Sequence, residues 1–207
     1  MVYSDFTTLT KVREAFDLII EESLDLFADI PEAVPSSHLQ TTLKENVFLA
    51  TAINTEKASS ELIITPVLLE VRRILDFKIG FFSGSEFNVD VQAGLSGYCD
   101  YILTASKESY EIRTPVVTLA EAKNESIRSG LGQCIAEMVA AQLFNQRRHG
   151  EVIETVYGAV TTGTEWKFLK LSGKKIWIDK RDYFINEVIH ILGILTILFN
   201  KSYPIEE

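Results

Sequence analysis

The spacing of apolar positions divides this chain into helix-period stretches, a strand-period middle, and a helical end. Residues 7–29 carry Val12, Phe16, Ile19, Ile20, Leu24 and Phe27 at intervals that fit one face of a helix. Pro31 and Pro35 punctuate its end, and Ser37 offers a cap for a second helix, HLQTTLKENVFLATAI, which stops near Asn54. A third helix starts at Ser59 or Ser60 and runs through ELIITPVLLEVRRILDF. Pro66 falls in its first turns, where a missing N–H is harmless, or else kinks it.

After Gly80 the period shortens. FNVDVQAG, YCDYILTAS and TPVVTLAEA read as strands, separated by turn residues at 94–97 and a polar loop at 107–114. A long Ala- and Gln-rich helix follows over 125–148. VIETVYGAVTTG and EWKFLKLSGKKIWID then return to strand character, with Gly163 and Gly173 as turns, and an apolar helix closes the chain over 183–200. This order predicts an α/β fold, a mixed sheet flanked by helices. The strand at 116–122, the 125–148 helix and the strand at 156–160 would form a right-handed βαβ crossover. One domain is expected, with a helical segment at 1–54 ahead of a core at 55–207.

Composition refines this picture in three places. The 207 residues include 46% hydrophobic and 24% charged side chains, enough for a sizeable core. A net charge of -9 argues against whole-surface binding of nucleic acid, but leaves room for carboxylates that meet phosphate through a divalent cation. Cys99 and Cys134 belong to no CxxC pair or Cys/His cluster, so zinc is not expected, and with no signal-peptide pattern a reducing cytoplasm is. The membrane-like run FINEVIHILGILTILF carries Glu187 and His190 and is too short to span, so no membrane association is expected. The apolar helices at both ends suggest a homodimer.

The candidate chemistry lies in 97–133, GYCDYILTASKESYEIRTPVVTLAEAKNESIRSGLGQ. Side chains alternate along a strand, so Glu121 and Lys123 share a side, with Val117 and Leu119 deeper on the same face. Asp100 shares a face with Tyr98 and Ile102, and antiparallel pairing would set it across from Glu121. Two such carboxylates suit Mg²⁺ or Mn²⁺, and Lys123 adds a charge for a phosphoryl transition state. The same residues would also make an ordinary ion pair at a sheet end. Gln133 could bridge backbone groups, and Glu137 reads as a surface or supporting residue. None of His38, His149 and His190 accompanies a nucleophile. Arg147, Arg148, Lys174, Lys175, Lys180 and Arg181 are candidates for phosphate contacts or for solvated turns. Trp166 and Trp177 read as packing aromatics.

Asp100, Glu121, Ala122, Lys123 and Gln133 resemble the signature of the PD-(D/E)xK nuclease superfamily, the restriction-endonuclease-like fold. SSELIITPVLLEV around Glu61 is similar to the helix that precedes the motif there. The resemblance covers roughly 56–148, and Cys99 stands where that motif has proline. It implies that Asp100, Glu121 and the Ala122 carbonyl bind Mg²⁺ or Mn²⁺, that Lys123 is the catalytic lysine, and that Gln133 supports site or substrate. An acidic residue of the preceding helix would complete the metal set. Glu61 and Glu70 are on opposite faces of a regular helix, and the motif favours Glu61. The implied activity is metal-dependent hydrolysis of phosphodiester bonds in DNA. The alternatives are a catalytically inactive binding or assembly module of the same fold, and a hydrolase of RNA or nucleotides.

Overall fold

A computed structural model describes residues 1–124, 126–149 and 155–202. Its first helix, α1 (Leu9–Phe16), is far shorter than the apolar stripe suggests. Thr8 caps its start, and Asp17 ends it in the left-handed conformation, φ 53°. The chain then enters a strand, β1 (Ile19–Glu21). The stripe was the overlay of two destinations: Val12 and Leu18 enter one core, Phe27 the other, and Ile19 stays 63% exposed.

The second helix, α2 (Ser37–Ile53), ends at Asn54 as expected, but its cap is Ser36, whose hydroxyl accepts from the Leu39 N–H. The third helical run starts earlier than the serines suggest. Thr55 caps α3 (Glu56–Ser59), which continues as a π turn (Ser60–Ile64) into α4 (Thr65–Ile74). The wide turn abuts Pro66, whose missing N–H breaks the regular ladder there.

The strands form one mixed sheet in the order β1-β7-β6-β5-β4-β3-β2, with β8 beside β6. They are β2 (Gly80–Glu86), β3 (Tyr98–Thr104), β4 (Val116–Ala122), β5 (Thr155–Thr161), β6 (Glu165–Ser172), β7 (Lys175–Ile178) and β8 (Tyr183–Phe184). FNVDVQAG is therefore not a strand. Its Asn88 and Asp90 side chains accept from the amides of Gly97 and Ala93, closing a loop after β2. β2, β3 and β4 pair antiparallel. β4 and β5 pair parallel, joined through α5 (Ile127–His149), which supplies the expected βαβ unit. The expected helix start at Glu125, and the strand residues 152–154, lie outside the described residues.

β1 pairs parallel with β7, so the segment expected to be a helical appendage supplies an edge strand of the sheet. Each face of the sheet carries a core. One is filled from α2, α4 and α6 (Val188–Ser202), the other from α5 and α1. The membrane-like run becomes part of α6, which buries Ile191, Leu192, Leu195 and Phe199 against the sheet. That removes the C-terminal helix as an argument for a homodimer. Among the described residues no helix is long and apolar enough to cross a membrane.

Candidate active site

The register of β3 on β4 builds the site. Ile102 faces Leu119 and Tyr101 faces Ala120, so the next pair along is Asp100 and Glu121, across from one another as expected. The ladder stops there. β3 stays with β2 as far as Tyr98 against Glu86, while the Ala122 N–H, free of the ladder, donates to Asp100 Oδ2 at 2.8 Å. The strands thus part where the two carboxylates lie. One detail corrects the sequence reading. Thr104 pairs with Val116 and Leu103 with Thr118, so Val117 is an extra residue in β4. This bulge turns Val117 into the α2/α4/α6 core, and only Leu119 shares the α5 side.

Glu121 is 1% exposed, and its Oε1 accepts from the Lys123 ammonium, which confirms that the two side chains share a side. Gly130 of α5 makes room for that lysine. A Cβ there would come within 3.0 Å of Lys123 Cγ and 2.6 Å of Val160 Cγ1. Glu121 Oε2 is buried and receives no N–H or O–H.

Facing Glu121 from α5 is Glu137. It is fully buried, which rules out the surface alternative and leaves the supporting one. Its Oε1 accepts from Gln133 Nε2 at 3.1 Å, its Oε2 likewise receives no N–H or O–H, and its carboxyl is near enough to Glu121 for the two charges to repel. Gln133 therefore reaches the site through Glu137. The signal was present in the sequence. A glutamate four residues after Gln133, among Cys134, Ile135, Ala136, Met138, Ala140 and Ala141, lies on the same helix face and in apolar company.

The electrostatics are those of too many carboxylates for one cation. Burial, then the charge of Asp100, pushes Glu121 up to about 7, against the pull of Lys123. Burial, then Glu121, drives Glu137 well above the carboxylate range. Burial works against the Lys123 charge, but the attraction of Glu121 and its hydrogen bond, with Glu56 and Asp100 beyond, hold its ammonium above the ordinary value. The Cys99 and Cys134 thiols are raised by burial and then by the same glutamates, so neither is a nucleophile.

Glu61 is not brought to this cluster. Its side chain is 60% exposed and pairs with Lys57 at 2.8 Å, one helical turn back. Glu70 is buried but belongs elsewhere: it accepts from the Ser36 N–H and hydroxyl at the start of α2. Several cations offered for phosphate are engaged locally. Arg147 donates to the Val89 carbonyl, Lys174 pairs with Asp17, and Arg181 lies over Tyr183. Trp166 is core and Trp177 lies beneath Lys170 and Lys175, so both aromatics pack as expected.

The oxygen donors that could hold a divalent ion are Asp100, Glu121 and the Ala122 carbonyl. Their hard, all-oxygen character suits Mg²⁺ or Mn²⁺ with several waters retained, and the unpartnered Glu121 oxygen is a free donor. Among the described residues, no group of three or more His, Cys, Asp or Glu side chains is arranged to hold a metal. No protein-family model matches the chain, and no curated protein does either.

Proposed function

We propose that this protein is a Mg²⁺- or Mn²⁺-dependent nuclease of the PD-(D/E)xK kind that hydrolyses phosphodiester bonds in DNA. The observation that carries the reading is the pairing of Asp100 with Glu121 where β3 and β4 part, with Lys123 on the Glu121 carboxylate. The order α4, β2, β3, β4, α5, β5 supports it, since the motif residues fall at the end of the third antiparallel strand and on the following helix. When bound, a divalent ion supplies polarisation of a phosphoryl oxygen and a more acidic water. Asp100 and Glu121 would hold that ion with the Ala122 carbonyl. Lys123 holds its proton on Nζ beside Glu121, where it can stabilise charge building on the scissile phosphate. The burial of Glu121 and Glu137 keeps water from screening these charges.

The test is cleavage of plasmid DNA with Mg²⁺ or Mn²⁺ by the wild type, Glu121→Ala and Lys123→Ala. Loss in both variants is expected, and equal activity in all three would sink the assignment. One observation favours a non-catalytic binding module: the carboxylates gather as a pair plus a helix glutamate, with no third side chain arranged for a metal among the described residues. Mn²⁺ titration by calorimetry separates the two readings, because a dead site does not bind the ion through Asp100. RNA and nucleotide substrates in the same assay distinguish the remaining alternative.

A further inference from the structure

The second half of α2 is apolar on both of its sides. Leu39, Leu43 and Ala50 turn into the core, with Val47 packed against it. On the outer side Phe48 is 83% exposed, Leu49 48% and Ile53 49%, and Ala52 among them is exposed as well. At spacings of i, i+1, i+4 and i+5 the four form one continuous stripe along the helix. A surface helix ordinarily turns polar residues outward, as the first half of α2 does with Thr41, Lys44 and Glu45. Single exposed apolar residues need no explanation, but a stripe of four around a phenylalanine marks a contact surface.

The charges at its ends say what covers it. Lys44 and Glu45 border the stripe on the N-terminal side. On the other, Asn54 ends the helix in the left-handed conformation, and the exposed Glu56 and Lys57 follow in the next turn. Each end thus carries one lysine and one glutamate, in a chain whose net charge is -9. A polyanion would meet a carboxylate at both ends, and a basic partner an ammonium at both. A surface with both signs at both ends is complementary to its own copy turned end for end. We propose that this stripe is the contact of a homodimer, with α2 packed antiparallel on α2 of a second copy about a two-fold axis between Leu49 and Ala52. The axis sets Phe48 beside Ile53 of the second copy, and each Lys44–Glu45 end beside a Glu56–Lys57 end. Phe48 is the aromatic anchor, on the order of 150 Å² by itself, and the charged ends begin the polar rim of an interface of about 800 Å² per partner. The small Ala52 side chain lets the two helices approach closely near the axis. The contact is independent of the metal-dependent reading above.

The test is size-exclusion chromatography with light scattering on the full chain. At about 100 μM, above the micromolar upper end for interfaces of this size, the wild type should have the mass of two chains. Phe48→Glu places a carboxylate from each copy in the stripe and should weaken the dimer at least about a hundredfold. Val91→Glu, at a site also exposed (66%) but in the loop after β2, should leave it within about twofold. Ala52→Cys reads the axis itself, because a residue beside a two-fold meets its own copy. With oxidised glutathione it should give disulfide-linked pairs of chains, its Cα atoms lying within about 7 Å of each other, while Val91→Cys stays unlinked. Cys99 and Cys134 are buried and do not compete. A wild type that is monomeric at this concentration overturns the proposal, and a different partner then covers the stripe. A dimer that survives Phe48→Glu overturns it too, since the contact is then elsewhere. A dimer in which Ala52→Cys stays unlinked overturns the antiparallel arrangement. If circular dichroism shows Phe48→Glu unfolded, the cysteine pair decides.

Discussion

Asp179 and Glu121 are both carboxylates closed off from water, each 1% exposed, and they are treated in opposite ways. Asp179 accepts from the Leu26 N–H at 3.0 Å, the Arg181 N–H at 3.4 Å and the Tyr183 hydroxyl at 3.0 Å. It ties the segment after β1 to the end of β7, and its donors justify its burial. Glu121 has one cation and, on its other oxygen, no donor at all. Glu70 sits with Asp179, partnered by Ser36 and by Arg73 at 3.4 Å. Burial alone therefore does not mark a site. What separates the α5 cluster from the structural carboxylates is the shortage of donors, which a cation from solution would relieve.

The largest effect expected from breaking this contrast is at Asp179. Asp179→Ala strands three donors and should cost about 4 kcal/mol, read as a drop in urea midpoint, with Mn²⁺ affinity of the folded protein unchanged.

The next is a pH effect in the metal-free protein. Glu121 is raised from an ordinary 4.5 to about 7. Below pH 4.5 it is protonated folded and unfolded alike. Between 4.5 and 7 the folded chain keeps a proton that the unfolded chain has released, so stability falls as pH rises through that window. The loss on going from pH 4.5 to 8 is on the order of 3 kcal/mol for this group, and Glu137 adds in the same direction. Urea unfolding in EDTA should show the decline, Glu121→Gln should remove Glu121's share of it, and saturating Mn²⁺ should flatten the slope. A wild-type slope equal to that of Glu121→Gln would erase the distinction from Asp179.

A smaller loss is expected for Glu70→Gln, about 1–2 kcal/mol, because a weaker acceptor remains for the start of α2. Smallest is Glu61→Gln. Its exposed partner Lys57 leaves the urea midpoint unmoved and the Mn²⁺ affinity within about twofold. A tenfold loss there would return Glu61 to the metal set.

The sequence carried the parts of this site that depend on local periodicity. Alternation in β4 put Glu121 and Lys123 on one side, and the run of strand, strand and helix set Asp100 and Gln133 nearby. It could not carry what depends on distant partners. The bulge at Val117 arises only when β3 pairs with β4, so parity counted along the strand misplaced that valine. Glu61 and Glu70 were sorted as if one must face the site. In the fold, Glu70 is drawn to Ser36 and Glu61 stays at the surface with Lys57. The first helix failed for a related reason. A period-3.6 stripe over residues 7–29 cannot reveal that Asp17 turns left-handed and that the next residues join β7.

That parallel pairing of Ile19–Glu21 with β7 also sets an order of events during synthesis. The ribosome delivers β1 well before its partner. Until Lys175 and its neighbours emerge, the early strand has no place to dock, while β2, β3 and β4 can already assemble from successive segments. The carboxylate pair can therefore form before β7 exists. Closing the β1 edge of the sheet waits for β7.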